Sequence, residues 1–528
     1  MTRVGIGSMV LAGGLFLAVV GVAGAGDVVL QPKTGDPILG LTAEQLARFE
    51  LGKIQFERVW EPEEGLGPIF NNDGCGACHN APNAGGAGTV AVTRFGKATK
   101  GGFDGLEEFG GTLLQMESIS EECAEFVHEK ANVEIQRITN PAFGLGLVET
   151  IPDEDILALE SEPPGVSGRA HIVEALEEPG VPRVGRMGWK AQLPTVLSFS
   201  GGATLNEIGI TNRLVENENA PNGDEALLAE CDTVADPEDG PDEEGFDFID
   251  RITDFQRFLT GPPQTPRSGM TGETVFNNVG CAECHVPEFV TGEAPEDALS
   301  GVTFRPYSDF LLHDMGLLGD GIVDGDATEL EIRTPNLWGL RFRDPILHDG
   351  RMAAGTFQDR VIDAILEHAL FGTGEAADSI AAFEALSGDD VDALVAFLDS
   401  LGRAEFDHDG DNDVDNLDKM DFDACFSGPG SFYTPDDACA ISDVDQDGDV
   451  DCDDWQYFRE AFDGAAYCDG DTNGDGTVDP LDSGAVLARF GLDPNTPGTG
   501  CQYDANGDGV IDPLDTGFVL ARFGPCPE

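Results

Sequence analysis

The sequence predicts a mainly α-helical protein in which two units form one body and a string of loop–helix modules follows. Three observations support this fold class. Apolar residues recur at helical spacing in several segments. The stretch from Gly74 to His79 has a close twin from Gly280 to His285. After residue 403, an aspartate-rich pattern occurs four times, each time before an apolar segment, which is typical of an array of small modules.

These patterns divide the 528 residues into four parts. We expect a leader at 1–26, a first unit at 27–260, a second unit at 261–402 and the modules at 403–528. In the leader, Arg3 precedes an apolar run and a small-residue cleavage site, which is typical of a secretory signal. No later stretch has the length of a membrane span. We therefore expect an exported protein, periplasmic or at the cell surface, without a membrane span after cleavage.

The charge balance excludes one class of partner. The chain has 99 acidic and 29 basic residues and a formal net charge of -70. Such a surface repels the phosphate backbone, so no nucleic acid partner is expected. The excess of carboxylates suits an exported protein with cation-binding loops.

The first unit is predicted to open with a capped helix. Thr42 and Gln45 form a capping-box pattern, and Leu46, Phe49 and Phe56 recur at helical spacing. We expect this helix to pack beside the first of the twin motifs. Further helices are predicted near residues 152 and 194, over 247–259, and at "LSGDDVDALVAFLDSL", which closes the second unit.

Each twin motif reads C-x-x-C-H, the pattern that attaches a c-type haem. Two thiols three residues apart can add to the two vinyl groups of one porphyrin, and the following histidine ligates the iron. A lone C-x-x-C would equally suggest a zinc knuckle or a redox dithiol. The adjacent histidine, the repeated Phe-Asn-Asn flank and the leader favour two covalent haem c groups in two cytochrome c-like units. The attachment residues are Cys75, Cys78, His79, Cys281, Cys284 and His285.

The four acidic repeats have oxygen donors at positions 1, 3, 5, 9 and 12, the ligand spacing of a twelve-residue calcium loop. In the first loop, Asn412 replaces the glycine expected at position 6. The predicted ligands are Asp407, Asp409, Asp411, Asp415 and Asp418; Asp443, Asp445, Asp447, Asp451 and Asp454; Asp471, Asn473, Asp475, Asp479 and Asp482; and Asp504, Asn506, Asp508, Asp512 and Asp515.

Eight cysteines remain outside the haem motifs, and their even number favours disulfides. By elimination we expect Cys123 to pair with Cys231, and a thiolate ligand to a haem from either cysteine is the alternative. The other six lie in the tail, where fifteen pairings are open.

Aspartate at position 12 and the absence of an incoming helix resemble dockerin modules over 407–523. The resemblance implies a cohesin-like scaffold partner for the tail. A calcium-stabilised tail without any specific partner is the alternative.

The haem half resembles a known family at several places together: the twin motifs, "LGLVETIP", "GRMGWKAQLPT", "LLHDMG", "RTPNLWGL" and "LHDGRM". It is similar to the di-haem oxidoreductases, also catalogued as predicted thiol oxidoreductases and related to bacterial di-haem cytochrome c peroxidases and MauG. The match covers about 45–402. It implies a peroxidase-like enzyme in which a six-coordinate haem passes electrons to an open haem that reduces peroxide or oxidises a substrate. A small cytochrome or cupredoxin-like protein would be the redox partner.

The resemblance also implies roles for single residues. Glu149 matches the distal glutamate, which would carry protons with a raised pKa; a surface acid is the alternative. Trp189 is a candidate aromatic bridge, although it follows Glu149 whereas the order is reversed in the relatives. His368 is predicted to ligate the second haem opposite His285, and a surface histidine is the alternative. His348 is expected to hydrogen-bond haem propionates or carbonyls.

The later motif is therefore predicted to be the electron relay and the earlier one the reactive site. Two other functions stay open. One is a di-haem electron-transfer protein without peroxide chemistry. The other is a scaffold-bound calcium-binding module that carries the redox domain as cargo.

Overall fold

The structure is a computed structural model that describes residues 28–160, 166–463 and 467–526. The predicted leader lies outside these residues. Helices account for 34% of the fold and strands for 13%, so the fold is mixed and the expectation of a mainly α protein holds only in part. Within the described ranges, no helix is long and apolar enough to cross a membrane.

The helices of the first part of the fold are α1 (Ala43–Phe56), α2 (Cys75–Cys78), α3 (Leu145–Glu149), α4 (Asp153–Leu157), α5 (Val196–Ile208), α6 (Glu225–Cys231) and α7 (Phe248–Phe258). α1 packs along α7. Thr42 caps α1 and Gln45 completes the capping box, as predicted. Phe49 and Phe56 are buried, but Leu46 on the predicted stripe is exposed, because the contact with α7 occupies only a narrow strip of the helix.

Within its described residues, the first part of the fold also contains eight strands, which the sequence pattern hardly signals. They are β1 (Ile69–Phe70), β2 (Ala91–Thr99), β3 (Gly102–Asp104), β4 (Leu113–Leu114), β5 (Glu117–Ser118), β6 (Val133–Ile138), β7 (Ile172–Ala175) and β8 (Glu178–Val184). β2 pairs antiparallel with β3, β4 and β6; β1 pairs with β5, and β7 with β8. The sheet ends at Ile138, next to the cavity described below.

The second part contains α8 (Thr271–Asn278), α9 (Phe357–Glu367), α10 (Ala377–Glu384), α11 (Gly388–Ser400), β9 (Phe289–Val290), β10 (Thr303–Phe304), β11 (Leu312–Asp314) and β12 (Glu331–Arg333). α8 packs against α11, with Phe276, Tyr307 and Phe397 at the centre of this core. Phe310 and Trp338, which also follow the second motif, join instead the core built around α1 and α7. The two cores therefore interlock.

The tail contains α12 (Asn416–Cys425), α13 (Cys452–Ala461), β13 (Thr477–Val478), α14 (Pro480–Leu487), α15 (Pro513–Leu520) and β14 (Gly524–Pro525). Each helix is capped by the aspartate at position 9 of the preceding loop, and the aspartate at position 12 completes a capping box. Helix α12 thus begins directly after Asp415. The loop residues that are candidate cation ligands also start the helices.

The tail helices pack in two pairs. Phe406, Phe422 and Phe458 form an aromatic core for the first pair, and Val28 and Leu30 from the N-terminal side pack against it. The second pair has its own small core of Val478, Val486, Ile511 and Val519. The Cys123–Cys231 disulfide is present as predicted. The tail pairings are Cys425–Cys439, Cys452–Cys501 and Cys468–Cys526.

Candidate functional site

The second C-x-x-C-H motif lines a cavity. Gly280, with a left-handed φ of 92°, turns the chain out of α8 and into the motif. Cys281, Cys284 and His285 then lie on the wall of this cavity, together with apolar side chains such as Leu394 and Leu398. A mostly apolar lining with a few polar groups is the usual setting of a cofactor site.

The imidazole of His285 is held in one tautomer. Its Nδ1–H donates to the backbone carbonyl of Tyr307 over 2.9 Å, which leaves Nε2 without a proton. Burial lowers the pKa of His285 to about 4, so the ring is neutral near pH 7. A neutral imidazole whose second nitrogen is oriented by a carbonyl is the usual form of a metal ligand.

His368 faces His285 across the cavity with the same arrangement. It lies at the C-terminal end of α9, and its Nδ1–H donates to the Ala364 carbonyl over 2.7 Å. The two ring centroids are 6.5 Å apart. Two metal–imidazole bonds of about 2 Å each, plus the distance from each nitrogen to its ring centre, span this gap. The residues present therefore fit one iron held between two histidines.

Two buried guanidinium groups also line this cavity. Burial lowers the pKa of Arg343 to about 10, and burial together with the positive charge of Arg343 does the same for Arg333. Arg333 donates to the carbonyls of Gly188 and Thr334, whereas Arg343 Nε has no hydrogen-bond partner among the described residues. A buried unpaired cation is costly. An anionic group in the cavity, such as the propionates of a haem, would satisfy Arg343.

Trp189 and His348 also line the cavity at the second motif. Trp189 Nε1–H donates to the Ile138 carbonyl over 3.0 Å, and its ring lies edge-on to His348 with centroids 6.1 Å apart. Both side chains line the cavity wall. Burial lowers the pKa of His348 to about 4. Trp189, the candidate aromatic bridge between the two sites, therefore lies at the cavity of the second motif.

The first motif shows the same local pattern in a different setting. His79 Nδ1–H donates to the Gly86 carbonyl over 3.2 Å, and burial lowers its pKa to about 4. Phe56 of α1 lies edge-on to the ring, with centroids 5.9 Å apart. Cys75 packs against the core around α1 and α7. Phe56 therefore places α1 beside the first motif, and the packing of this helix on a haem bound there stays a prediction.

Glu149 lies at the end of α3 and is engaged by several donors. Arg257 donates to both carboxylate oxygens, over 2.7 Å and 3.1 Å. The Val196 N–H, at the start of α5, donates to Oε1 over 2.8 Å. The carboxylate is therefore bound by a guanidinium and by the N-terminus of α5. Glu149 forms its ion pair at the end of α3, whose residues Leu147 and Val148 pack in the core that also contains Phe56.

The four motif cysteines are chemically distinct from the other eight. All twelve cysteines lie within the described residues, and only Cys75, Cys78, Cys281 and Cys284 are free. Burial raises the pKa of Cys75 and Cys281 to about 12 and that of Cys78 to about 11. A redox dithiol requires an accessible thiolate of lower pKa. These thiols fit covalent attachment of a group better than thiol exchange.

The acidic loops have the conformation and the unpaired oxygens that a cation site requires. At position 6, φ is 75° for Asn412, 97° for Gly448, 79° for Gly476 and 83° for Gly509. In the second loop, carboxylate oxygens of Asp443, Asp445 and Asp454 lie within 4.8 Å of one another. Burial, with a contribution from neighbouring carboxylates, raises the pKa of Asp443 to about 6 and that of Asp454 to about 8. A bound divalent cation would remove this repulsion.

Arg333 and Arg343 are the residues that sequence reasoning missed. Both stand in the segment "RTPNLWGLRFRD", where arginines interrupt an apolar run. Charged residues in such a run are a signal of burial with a partner. The partner cannot be read from the sequence, because the cavity is assembled from segments on both sides of the motif.

The fold and its sites define a haem-binding redox protein with a tail of calcium-loop modules. A family model described as "Di-haem oxidoreductase, putative peroxidase" matches residues 114–401, more than half of the chain. The protein belongs to this family of oxidoreductases. The matched stretch contains the second C-x-x-C-H motif and Glu149, and it begins after the first motif.

The Dockerin type I domain model matches residues 469–523, which hold the third and fourth acidic loops. The tail therefore carries a calcium-binding dockerin domain. Among solved structures, the chain is similar to one described as "Crystal structure of a MauG-like protein associated with microbial copper homeostasis", with 14% identity and a TM-score of 0.31. That alignment covers 70% of this chain and 94% of the other. No curated protein matches the chain.

Proposed function

We propose that the protein is an exported di-haem c-type oxidoreductase with peroxidase-like activity. The observation that carries the proposal is the pair of facing imidazoles, His285 and His368, behind a C-x-x-C-H motif. Haem groups attached at both motifs would supply one-electron transfer and the reduction of peroxide. The motif thiols would hold the two groups through thioether bonds.

At the second site, this chain's residues would bind and shield rather than react. His285 and His368 would both hold the iron of the haem, and the group would supply electron transfer there rather than substrate binding. Arg343 and Arg333 would neutralise the propionates. Trp189, which lines the cavity, would provide an aromatic ring through which electrons could pass. This arrangement suits an electron relay fed by a small cytochrome or cupredoxin-like donor.

At the first site, Cys75, Cys78 and His79 would hold the haem that supplies the reduction of peroxide. Reduction of peroxide consumes two electrons and two protons, and a positioned acid–base group speeds the proton steps. Glu149 is the proposed group, because α3 and α1 contribute to one core. It would move a proton only by loosening its ion pair with Arg257, so Arg257 would control its reactivity.

A second candidate is electron transfer without peroxide chemistry. The firm pairing of Glu149 with Arg257 and the Val196 N–H favours it. Optical spectra of the oxidised and reduced haem-loaded protein, with and without hydrogen peroxide, separate the two. The peroxidase proposal expects one high-spin haem that peroxide alters. Two low-spin haems that do not respond to peroxide would replace it with the electron-transfer proposal.

The last two modules suggest a protein partner for the tail. Leu481 and Leu514 are 67% and 64% exposed at equivalent positions of α14 and α15, and Phe490 and Phe523 repeat this relation. Such a duplicated apolar face fits the cohesin-like scaffold partner that dockerin domains imply. Titration of the full chain with a purified cohesin domain tests it. Binding in calcium that disappears with chelator is the expected result, and no binding in calcium would leave the tail as a calcium-stabilised appendage.

Export is part of the proposal and rests on the leader at 1–26. Mass spectrometry of the mature protein, recovered from outside the cytoplasm, tests it. The expected product lacks the leader and carries two covalently bound haem groups after denaturation. A chain with an intact leader and no retained haem would contradict both points.

A further inference from the structure

The first acidic loop contains a buried carboxylate with one oxygen that accepts no hydrogen bond from any described residue. Asp407 and Asp418 are fully buried, and oxygens of Asp407, Asp409 and Asp418 lie within 4.8 Å of one another. Among the described residues, Asp407 Oδ2 has no hydrogen-bond partner. The guanidinium of Arg341 is 3.9 Å from this oxygen, too far for a hydrogen bond. A buried carboxylate that lies among further oxygen donors and retains an oxygen without a hydrogen bond fits a calcium ion.

Asn412 replaces the glycine expected at position 6 of the first loop, and the backbone there keeps its left-handed conformation. Asn412 adopts a left-handed φ of 75°, close to those of the glycines at position 6 of the other loops. Asparagine is one of the few residues that adopt this region readily. The loop therefore keeps the conformation of a twelve-residue calcium loop, although it lies outside the matched dockerin domain at 469–523.

The asparagine side chain makes a contact that glycine could not make. Asn412 Nδ2 donates to the carbonyl of Thr34 over 3.0 Å. The same carbonyl accepts a second hydrogen bond, from Asn83 Nδ2, over 2.6 Å. Thr34 is buried. One buried carbonyl of the N-terminal segment thus joins the acidic loop to the turn after the first haem motif.

Asn83 belongs to the turn that orients His79. Its carbonyl accepts from the Gly86 N–H over 2.9 Å, and the Gly86 carbonyl accepts from His79 Nδ1 over 3.2 Å. Gly35 has a left-handed φ of 101°, and a Cβ there would lie 2.6 Å from Asn83 Nδ2. This close approach holds Asn83 against the N-terminal segment. The acidic loop is therefore linked to the proximal histidine of the first site through Thr34.

Further contacts hold the N-terminal segment against the first two modules. Lys33 Nζ donates to the Ala461 carbonyl over 2.8 Å and forms an ion pair with Asp463. Asp463 also accepts from the Val414 N–H in the acidic loop, over 2.7 Å. Gln31 donates to Glu405 over 2.8 Å. The segment is thus enclosed between the haem-bearing body and the tail.

We propose that residues 407–418 bind one calcium ion that acts as an intramolecular clamp. The ion would hold the loop in the conformation that directs Asn412 to Thr34, and through Thr34 it would support Asn83 and the turn around His79. The first two modules are then part of the redox body, while the last two remain available to a partner. The clamp does not depend on peroxide chemistry.

Calcium binding to the full-length, haem-loaded protein tests the clamp with a matched pair of variants. Asp407→Asn and Asp504→Asn remove the position 1 ligand of the first and the fourth loop. Each variant is expected to bind one calcium ion fewer than the wild type. In hydrogen exchange, only Asp407→Asn is expected to speed exchange over residues 28–36 and 79–87, by about three- to tenfold. Undiminished calcium binding by Asp407→Asn, or an equal acceleration in both variants, would overturn the clamp.

Asn412→Gly separates ion binding from coupling and keeps the test valid if Asp407→Asn folds poorly. Glycine accepts the left-handed φ, so calcium binding is expected to stay at the wild-type stoichiometry. Exchange over residues 79–87 is expected to rise by a similar factor, because the bond to Thr34 is lost. Unchanged exchange there would show that Thr34 does not transmit the support, and the clamp would be wrong.

Discussion

The two C-x-x-C-H motifs share the sequence of their flanks and the hydrogen bond of the motif histidine, yet the protein surrounds them differently. In both, Nδ1 of the motif histidine is bound to a backbone carbonyl and burial keeps the ring neutral. The second motif faces His368 across a cavity that also holds Arg343. The first motif lies beside Phe56 in a core that also includes α3, at whose end Glu149 forms an ion pair.

This difference separates attachment from function. A local pattern is sufficient to place two thiols and a histidine together and to orient the histidine ring. The opposite side of each site comes from segments far away in the chain, and these decide whether the site is closed by a second histidine. The predictions below challenge that asymmetry, beginning with the largest effect.

Removal of His368 should convert the second site. His368→Ala is expected to abolish the six-coordinate, low-spin signature of one of the two haems, because an axial ligand is lost. Optical and electron paramagnetic resonance spectra of the oxidised protein measure this. His348→Ala, at another buried histidine of the same cavity, is the control and should keep the low-spin signal. An unchanged spectrum for His368→Ala would remove the asymmetry between the sites.

Glu149→Gln should affect only the first site. Loss of a proton-carrying carboxylate is expected to lower the turnover of peroxide by about 10²- to 10⁴-fold. The midpoint potential of the second haem should stay unchanged. Steady-state peroxide consumption and a redox titration measure the two effects. Asp153→Asn, which removes a neighbouring ion pair with Arg186, controls for general loosening. Full turnover by Glu149→Gln would rule out Glu149 as the proton carrier.

Acid should weaken the second site through His348. Its pKa is about 4 in the folded protein and about 6.5 when unfolded, so the unfolded state binds a proton first as pH falls. The stability that neutral His348 contributes is complete above pH 6.5 and is lost progressively towards pH 4, up to about 3 kcal/mol. Denaturant unfolding at pH 7 and pH 4.5 measures it. His348→Gln should show a shallower loss, and parallel losses would contradict the assignment.

The smallest expected effect comes from Arg343. Arg343→Met removes a positive charge beside the second haem, which disfavours the reduced form. The midpoint potential of that haem is expected to fall by about 60 mV, equal to ~1.4 kcal/mol for one electron. Arg360→Met, outside the cavity lining, should leave both potentials in place. A shift in the midpoint potential of the first haem alone would contradict the assignment of Arg343 to the second haem.

Much of the architecture could be predicted because its signals are local. The capped start of α1 at Thr42, helix α7 close to its predicted bounds, and the calcium-loop spacing all depend on neighbouring residues. The Cys123–Cys231 disulfide followed from elimination. The pairing of β2 with β6 was missed, because the two strands are separated by a long stretch of chain and pair through backbone groups rather than through an apolar period. The exposure of Leu46 shows that periodicity gives a helix but not the width of its contact.

The sequence alone determined the two C-x-x-C-H motifs, the acidic repeats and the position of their oxygen donors, because these patterns lie within a dozen residues. Only the tertiary structure decided what each motif faces. It brings His368 to His285 and ion-pairs Glu149 with Arg257, and it directs Asn412 to Thr34. Each of these contacts joins residues dozens to hundreds of positions apart, where chain folding rather than local chemistry selects the partner.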